Sequence, residues 1–207
     1  MKKQLLFYLI IFCALVISKE SYSQNWQRVG SGLPSHFANS NNEIIEFNGN
    51  MYSVGYVYDG ISTYTPKVFM LSGGTWSEVG SGFTTTTTAG VYNIKAITEF
   101  NAELYIGGNF IMNNGVDAEF YDVAKWDNLN SRWVPVGDGT GDGVVNELTV
   151  FNSKLYAGGD FGDLGAAGTN NIAVFDGTSW GTVGTGMSIE AVALEDPDQI
   201  SSMVVYN

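Results

Sequence analysis

A tryptophan followed three residues later by Val-Gly recurs four times along this chain. The motif Trp-x-x-Val-Gly-x-Gly begins at Trp26, Trp76, Trp133 and Trp180, and successive tryptophans lie 50, 57 and 47 residues apart. That period is typical of a four-stranded sheet module and is too long for a helical hairpin repeat. One module cannot bury its own apolar faces, so neighbouring modules must supply the core. The repeat predicts an all-β protein, a β-propeller built from four-stranded antiparallel blades.

A second pattern lies between the tryptophans. Short apolar runs at 44–47, 97–100 and 148–151 are each followed by an Asn-led turn and a second strand at 51–55, 104–108 and 155–159. Asn48-Gly49 is the strongest hairpin signal, because both residues tolerate the positive φ of a type I′ turn. A third strand at 67–71, 122–126 and 171–175 precedes the tryptophan strand. We expect each tryptophan to pack between neighbouring units; a ligand platform is the alternative role.

The third unit carries a recognisable signature. Leu-Tyr-x-Gly-Gly-x-Phe followed by Trp-x-x-Val-Gly-x-Gly, over 155–186, resembles the kelch-like β-propellers of secreted and surface bacterial proteins. The resemblance covers roughly residues 26–207. It implies kelch repeats, a galactose oxidase-like propeller and a protein type that often ends in a type IX secretion sorting domain. The first unit departs from the pattern, with Val54-Gly55-Tyr56 where the Gly-Gly pair belongs.

The units predict an incomplete ring. Three complete blades span about 43–82, 93–139 and 146–186, a lone outer strand covers 26–32, and 200–207 begins the next blade. Propellers close with four to eight blades. We therefore expect residues 24–207 to be a partial propeller, a fragment whose missing blades come from the same longer polypeptide and whose lone strand completes the final blade. The alternative is two chains that assemble into one ring.

Residues 1–23 have the features of a secretory signal peptide. Lys2 and Lys3 precede an apolar stretch of 13 residues at 5–17, and small residues at 21–23 offer a cleavage point. The stretch is shorter than the roughly 20 residues that span a bilayer; an uncleaved anchor is the alternative. We expect a secreted or cell-surface protein with no membrane span in the mature chain. Cys13 lies within the signal, so the mature chain has no cysteine.

Charge and composition exclude several functions. Without residues 1–23, 6 basic and 20 acidic residues remain, a net charge of −14. Nucleic-acid binding requires the opposite charge, so no nucleic-acid partner is expected. His36 is the only histidine, and no cofactor or zinc site is predicted. Asp138 and Asp142 have the spacing of a calcium loop, but Thr149 occupies the position of its final glutamate, so a Gly-rich turn is the simpler interpretation.

Function is expected on the long loops. In an up-and-down unit, the second-to-third strand connections, such as 55–66, and the links between units, such as 33–42, share one end of the sheet, and these segments differ between units. The candidate ligand-binding rings there are Tyr56, Tyr58, Tyr64, Phe120 and Tyr121, and the first three have no counterparts in the other units. Two further rings, Phe110 and Phe161, recur in register and are interpreted as packing residues.

The predicted activity is binding. No catalytic residue is identified, and the chain is interpreted as a non-catalytic scaffold that binds protein or glycan through its variable loops. The alternative is a carbohydrate-active hydrolase or lyase that uses loop acids such as Asp117 and Asp160, with catalytic residues partly outside this chain. A third possibility is a structural spacer in a long surface protein.

Overall fold

Three antiparallel β-sheets follow one another along the chain. The computed structural model describes residues 30–38, 43–87, 92–137, 139, 143–185 and 200–205. Thirteen β-strands and no helix occur within these ranges. The strands are β1 (Phe37–Ala38), β2 (Ile44–Phe47), β3 (Asn50–Tyr58), β4 (Tyr64–Ser72), β5 (Thr75–Glu78), β6 (Asn93–Phe100), β7 (Glu103–Met112), β8 (Phe120–Asp127), β9 (Arg132–Pro135), β10 (Val144–Phe151), β11 (Lys154–Asp160), β12 (Ile172–Phe175) and β13 (Trp180–Thr182). The predicted signal peptide, Trp26, Asp138 and Asp142 lie outside the described residues.

The second and third sheets are uninterrupted meanders. Their strand orders are β6-β7-β8-β9 and β10-β11-β12-β13, with every neighbouring pair antiparallel. The first sheet has the order β1-β3-β4-β5, with β2 also paired to β3. The prediction of an all-β chain with antiparallel sheets is therefore confirmed.

In the first sheet, two strands, β2 and β1, share the same edge of β3. β2 pairs with the first half of β3, with Ile44 opposite Ser53, and β1 pairs with the second half, with Phe37 opposite Val57. In the second sheet a single strand, β6, covers both halves and passes a register shift between Ile94 and Ala96. The expectation that residues 33–42 form a loop is therefore wrong at β1.

The short hairpins have the predicted type I′ character. Asn48 and Gly49 have φ values of 50° and 76°. The second hairpin places Asn101 and Ala102 at 53° and 60°, and the third places Asn152 and Ser153 at 47° and 57°. Two successive positive φ values define this turn and match the twist of the flanking strands.

A glycine is needed in the second strand of each sheet, where the paired edge strand comes close. A Cβ added to Gly55, Gly108 or Gly159 would overlap a carbonyl oxygen of that edge strand. Only the second glycine of the predicted pair is therefore required by this close approach. That explains how the first unit tolerates Val54, a fully buried side chain, in place of the first glycine.

Two of the Val-Gly pairs receive the tryptophan of the following unit. The Trp133 indole Nε1 donates to the Val79 carbonyl oxygen at 3.0 Å, and the Trp180 Nε1 donates to the Val136 carbonyl oxygen at 2.8 Å. Both tryptophans are buried, in two apolar clusters that join the first sheet to the second and the second to the third. The predicted inter-unit packing is confirmed for these two indoles, whereas Trp76 is half-buried.

The glycine of the pair makes room for the indole. A Cβ on Gly80 would lie 2.7 Å from Trp133 Cδ1, and one on Gly137 would lie 2.8 Å from Trp180 Cδ1. We call such a Val-Gly pair an indole acceptor. The last Val-Gly pair of the motif, Val183-Gly184, also has a positive φ at its glycine, 63°, but no described atom lies within 4 Å of a Cβ placed there.

Polar side chains also link β6 and β10 to neighbouring segments. The Glu43 carboxylate accepts the Ile97 N–H at 2.7 Å, and the Lys95 Nζ donates to Asn146 Oδ1 at 2.8 Å. Asn146 Nδ2 donates in turn to the Ile200 carbonyl oxygen at 3.0 Å. Burial raises the pKa of Glu43 to about 7, opposed by the Ile97 hydrogen bond and reinforced by the charge of Glu147.

Candidate binding site

Three of the predicted tyrosines meet at the end of the β3–β4 hairpin. Tyr58 and Tyr64 are directly opposite cross-strand partners, and their rings stack with centroids 4.7 Å apart and planes inclined by 21°. Tyr56 meets Tyr64 edge-on, with centroids 5.7 Å apart. The strand alternation places Tyr56 and Tyr58 on the same sheet face, so the three rings form one aromatic cluster.

The loop that closes this hairpin is organised by one carboxylate. Asp59 Oδ1 accepts the N–H groups of Ile61, Ser62 and Thr63 at 2.8, 2.8 and 2.9 Å, and Oδ2 accepts the Thr63 hydroxyl at 2.6 Å. The Thr63 hydroxyl contributes most to holding the pKa of Asp59 well below its usual range. This network fixes a short loop on which Ile61 is 83% exposed.

Neighbouring segments support the hairpin on both edges. The Tyr58 N–H donates to the His36 carbonyl oxygen at 3.1 Å, and the imidazole meets the Tyr58 ring edge-on. On the other edge, Tyr64 and Thr86 exchange two backbone hydrogen bonds of 2.7 and 2.9 Å. The tyrosines were expected in a loop at 55–66, but they lie on strands. We call Tyr56, Tyr58, Ile61 and Tyr64 the tyrosine tip.

The other two predicted rings lie on β8, in the second sheet. Phe120 is 3% exposed and belongs to the core, so the expectation of an exposed ring is wrong there. Tyr121 is half-buried, and its hydroxyl donates to Glu119 Oε2 at 3.0 Å, which raises the pKa of the tyrosine. It lines a separate cavity of 200 Å³. The rings interpreted as packing residues, Phe110 and Phe161, are buried.

Several loop acids make structural contacts. Asp117 accepts Arg132 Nη1 at 2.8 Å and the Asn114 amide at 2.6 Å. Asp163 accepts the Gly168 N–H at 2.6 Å. Within the described ranges, no three His, Cys, Asp or Glu side chains gather in a metal-binding arrangement.

A second candidate site lies at the opposite end of the sheets, where the short hairpin turns are. It is a cavity of 410 Å³ where the β2–β3 turn of the first sheet approaches the turns of the second. Its lining includes Phe47, Leu104, Glu103, Lys125, Trp126 and Asn128. We call it the turn groove. The sequence analysis missed it, although Trp126, the one tryptophan outside the repeated motif, was an available signal.

The tip and the groove differ in shape and chemistry. The tip presents tyrosine rings and an apolar side chain at the end of a hairpin, whereas the groove is concave and combines an indole with a Lys125–Glu103 ion pair of 2.9 Å. Over the part of the chain that the structure describes, no helix has the length and apolarity to cross a membrane. Comparison of the chain with protein-family models and with curated proteins gives no match.

Proposed function

We propose that the three sheets are consecutive blades of a kelch-like β-propeller. The support is the docking of Trp133 and Trp180 on the Val-Gly pair of the preceding unit, together with the inner strands β2, β6 and β10, which contact one another in order. In this arrangement the inner strands surround a common axis. A crystal structure of the mature chain tests the proposal, and sheets stacked in a line without a shared axis would refute it.

The proposed ring continues beyond the third blade. Residues 200–205 lie beside β10 and β11, where the Ile200 N–H donates to the Gly159 carbonyl oxygen at 3.0 Å. A Cβ on Gly158 would meet Ile200, much as one on Gly107 would meet Val145. The acceptor Val183-Gly184 then receives the indole of a further unit from the same longer polypeptide. In a longer chain, Gly184→Ala should therefore destabilise as strongly as Gly80→Ala; a persistently mild effect would contradict the proposal.

The propeller is proposed to act outside the cell, at the cell surface or in the medium. The signal-like segment 1–23 supports export. Sequencing the N-terminus of the protein from an expressing bacterium tests this, with Gln24 expected as the first residue. A chain that retains Met1 would contradict cleavage.

The proposed activity is non-catalytic binding of a protein partner through the tyrosine tip. The observation that carries this is the joining of Tyr56, Tyr58 and Tyr64 into one cluster on the hairpin whose loop carries the exposed Ile61. Tyrosines are enriched in protein interfaces because they offer a large, rigid apolar surface with a polar end. The Asp59 network holds the loop in place before binding, which lowers the entropy cost of association.

Site-specific photocrosslinking tests this activity. A photoreactive phenylalanine analogue replaces Ile61, and separately Val116, a comparably exposed residue on the β7–β8 loop. Against the surface and secreted proteins of the source organism, position 61 should give a discrete adduct and position 116 none. Purified partner should then bind Ile61→Asp at least tenfold more weakly than Val116→Asp. A glycan array provides the contrast: saturable glycan binding lost in Ile61→Asp would assign the tip to carbohydrate, and no ligand in either experiment would refute the proposal.

A further inference from the structure

The turn groove has features that the repeated fold does not require. Glu103 and Lys125 form an ion pair across β7 and β8, whereas the equivalent positions carry Asn50 and Met70 in the first sheet. The third sheet has Lys154 and Val174 at those positions. The second and third strands pair antiparallel in all three sheets, so the charged pair is not needed for that pairing.

The indole of the groove is equally specific to the second sheet. Trp126 pairs with Trp133, and the corresponding partners of Trp76 and Trp180 are Leu71 and Phe175. The Trp126 Nε1 donates to Asn128 Oδ1 at 3.0 Å, which fixes the ring against the turn. A half-buried indole therefore lines the cavity in a defined orientation.

The lining combines apolar and polar groups in a way that matches a sugar. Phe47 and Leu104 supply buried apolar surface, while the Lys125 ammonium contacts both carboxylate oxygens of Glu103 at 3.1 and 2.9 Å. A pyranose ring has an apolar C–H face that packs on an indole, and its hydroxyls both donate and accept hydrogen bonds. Small-ligand sites have volumes of roughly 300–1,000 Å³ and a few placed polar groups, and 410 Å³ falls within that range.

We propose that the turn groove is a binding site for a neutral mono- or disaccharide. The sugar stacks on Trp126, and its hydroxyls bond to the Glu103–Lys125 pair and to the Asn128 amide. A neutral ligand is favoured because Lys125 is already paired with Glu103, and Asp127, the second carboxylate of the lining, accepts the N–H groups of the adjoining turn. The site is independent of the tyrosine tip and of the protein partner proposed for it.

Indole N–H resonances of the ¹⁵N-labelled protein provide the assay. The Trp126 resonance is assigned from Trp126→Phe, and methyl glucoside, methyl galactoside, cellobiose, lactose and chitobiose are titrated separately at millimolar concentrations. At least one sugar should shift the Trp126 resonance saturably. N-acetyl-leucinamide, which mimics a peptide side chain, should not.

Two test variants take the residue that the first sheet carries at the equivalent position. Trp126→Leu introduces the residue found at 71, and Lys125→Met the residue found at 70. We expect at least tenfold weaker sugar binding for Trp126→Leu, measured by calorimetry, and at least fivefold for Lys125→Met, with unchanged circular dichroism. Ile61→Asp should leave sugar binding intact. The proposal is overturned by the absence of a saturable shift with every sugar, by equal binding of N-acetyl-leucinamide, or by wild-type affinity in a folded Lys125→Met protein.

Discussion

Alanine substitutions at two glycines of the Val-Gly pairs test how the indoles are packed. Gly80 and Gly184 occupy the same position of the repeated motif and have φ values of 75° and 63°. They differ in what a new Cβ would meet: at Gly80 it would lie 2.7 Å from both Cδ1 and Nε1 of Trp133, and at Gly184 no described atom lies within 4 Å. Alanine at the two sites therefore separates backbone strain from steric conflict with the indole.

The expected magnitudes follow from these two contributions. Both substitutions place a non-glycine residue at positive φ, which costs about 1–2 kcal/mol. Only Gly80→Ala also forces a side chain into an occupied core position, which adds about 1–3 kcal/mol. Trp133 has little freedom to move, because it is buried and its Nε1 is bonded to the Val79 carbonyl. We expect losses of about 2–5 kcal/mol for Gly80→Ala and about 1–2 kcal/mol for Gly184→Ala.

Urea unfolding of a chain that comprises residues 24–207 measures both effects. The transition is followed by tryptophan fluorescence and by circular dichroism, so that a change in free energy of unfolding can be separated from a change in its urea dependence. Gly137→Ala, which faces Trp180 in the same way, should behave like Gly80→Ala. Equal losses for Gly80→Ala and Gly184→Ala, within about 0.5 kcal/mol, would refute the acceptor mechanism.

Three further predictions concern burial, charge and loop order. The pKa of Glu43 is raised from 4.5 to about 7, so its contribution to stability is full below pH 4.5 and is lost as pH rises through about 7. Glu43→Gln should remove about 1–3 kcal/mol of the change in unfolding free energy across this pH window, measured in urea. Phe100 and Phe151 occupy equivalent positions at the ends of β6 and β10, but their side chains are 2% and 41% exposed. Phe100→Ala should therefore lower the free energy of unfolding by about 3–5 kcal/mol and Phe151→Ala by less than about 1 kcal/mol; equal melting temperatures would contradict this. Asp59→Ala should accelerate amide exchange at residues 61–63 at least tenfold while strands β6–β9 keep their protection; unchanged exchange would show that the loop does not depend on the carboxylate.

The sequence predicted what each unit shares. Strand order and turn type follow from local signals, since Asn-led turns with positive φ recur between short apolar strands. It did not predict β1, because two residues supply no periodicity and their pairing with Val57 and Tyr56 depends on a distant strand. The role of the Val-Gly pair was also hidden. The motif showed that it recurs, whereas its contact is with a tryptophan 54 or 44 residues further along the chain.

The candidate site was predicted in part for a similar reason. Tyr56, Tyr58 and Tyr64 were singled out because no other unit carries them, and one hairpin brings them together. Phe120 was misjudged, because its expected loop position concealed a pairing with Met112 at the end of a buried strand. The turn groove was missed entirely, since its walls come from two sheets and from turns interpreted only as connections.

A contrast between shared and unshared residues distinguishes packing from function in such a repeat. Trp133 and Trp180 occupy the same position of the repeated motif and make the same contact with the preceding Val-Gly pair. A residue confined to one unit cannot be explained by that common contact, and an energetic or functional reason must be local. Trp126 meets this criterion: Leu71 and Phe175 satisfy the same strand pairing with smaller side chains. If Trp126→Leu leaves the unfolding free energy within about 0.5 kcal/mol of wild type, the indole is not required for packing, and its position in the turn groove becomes the remaining explanation for its size and shape.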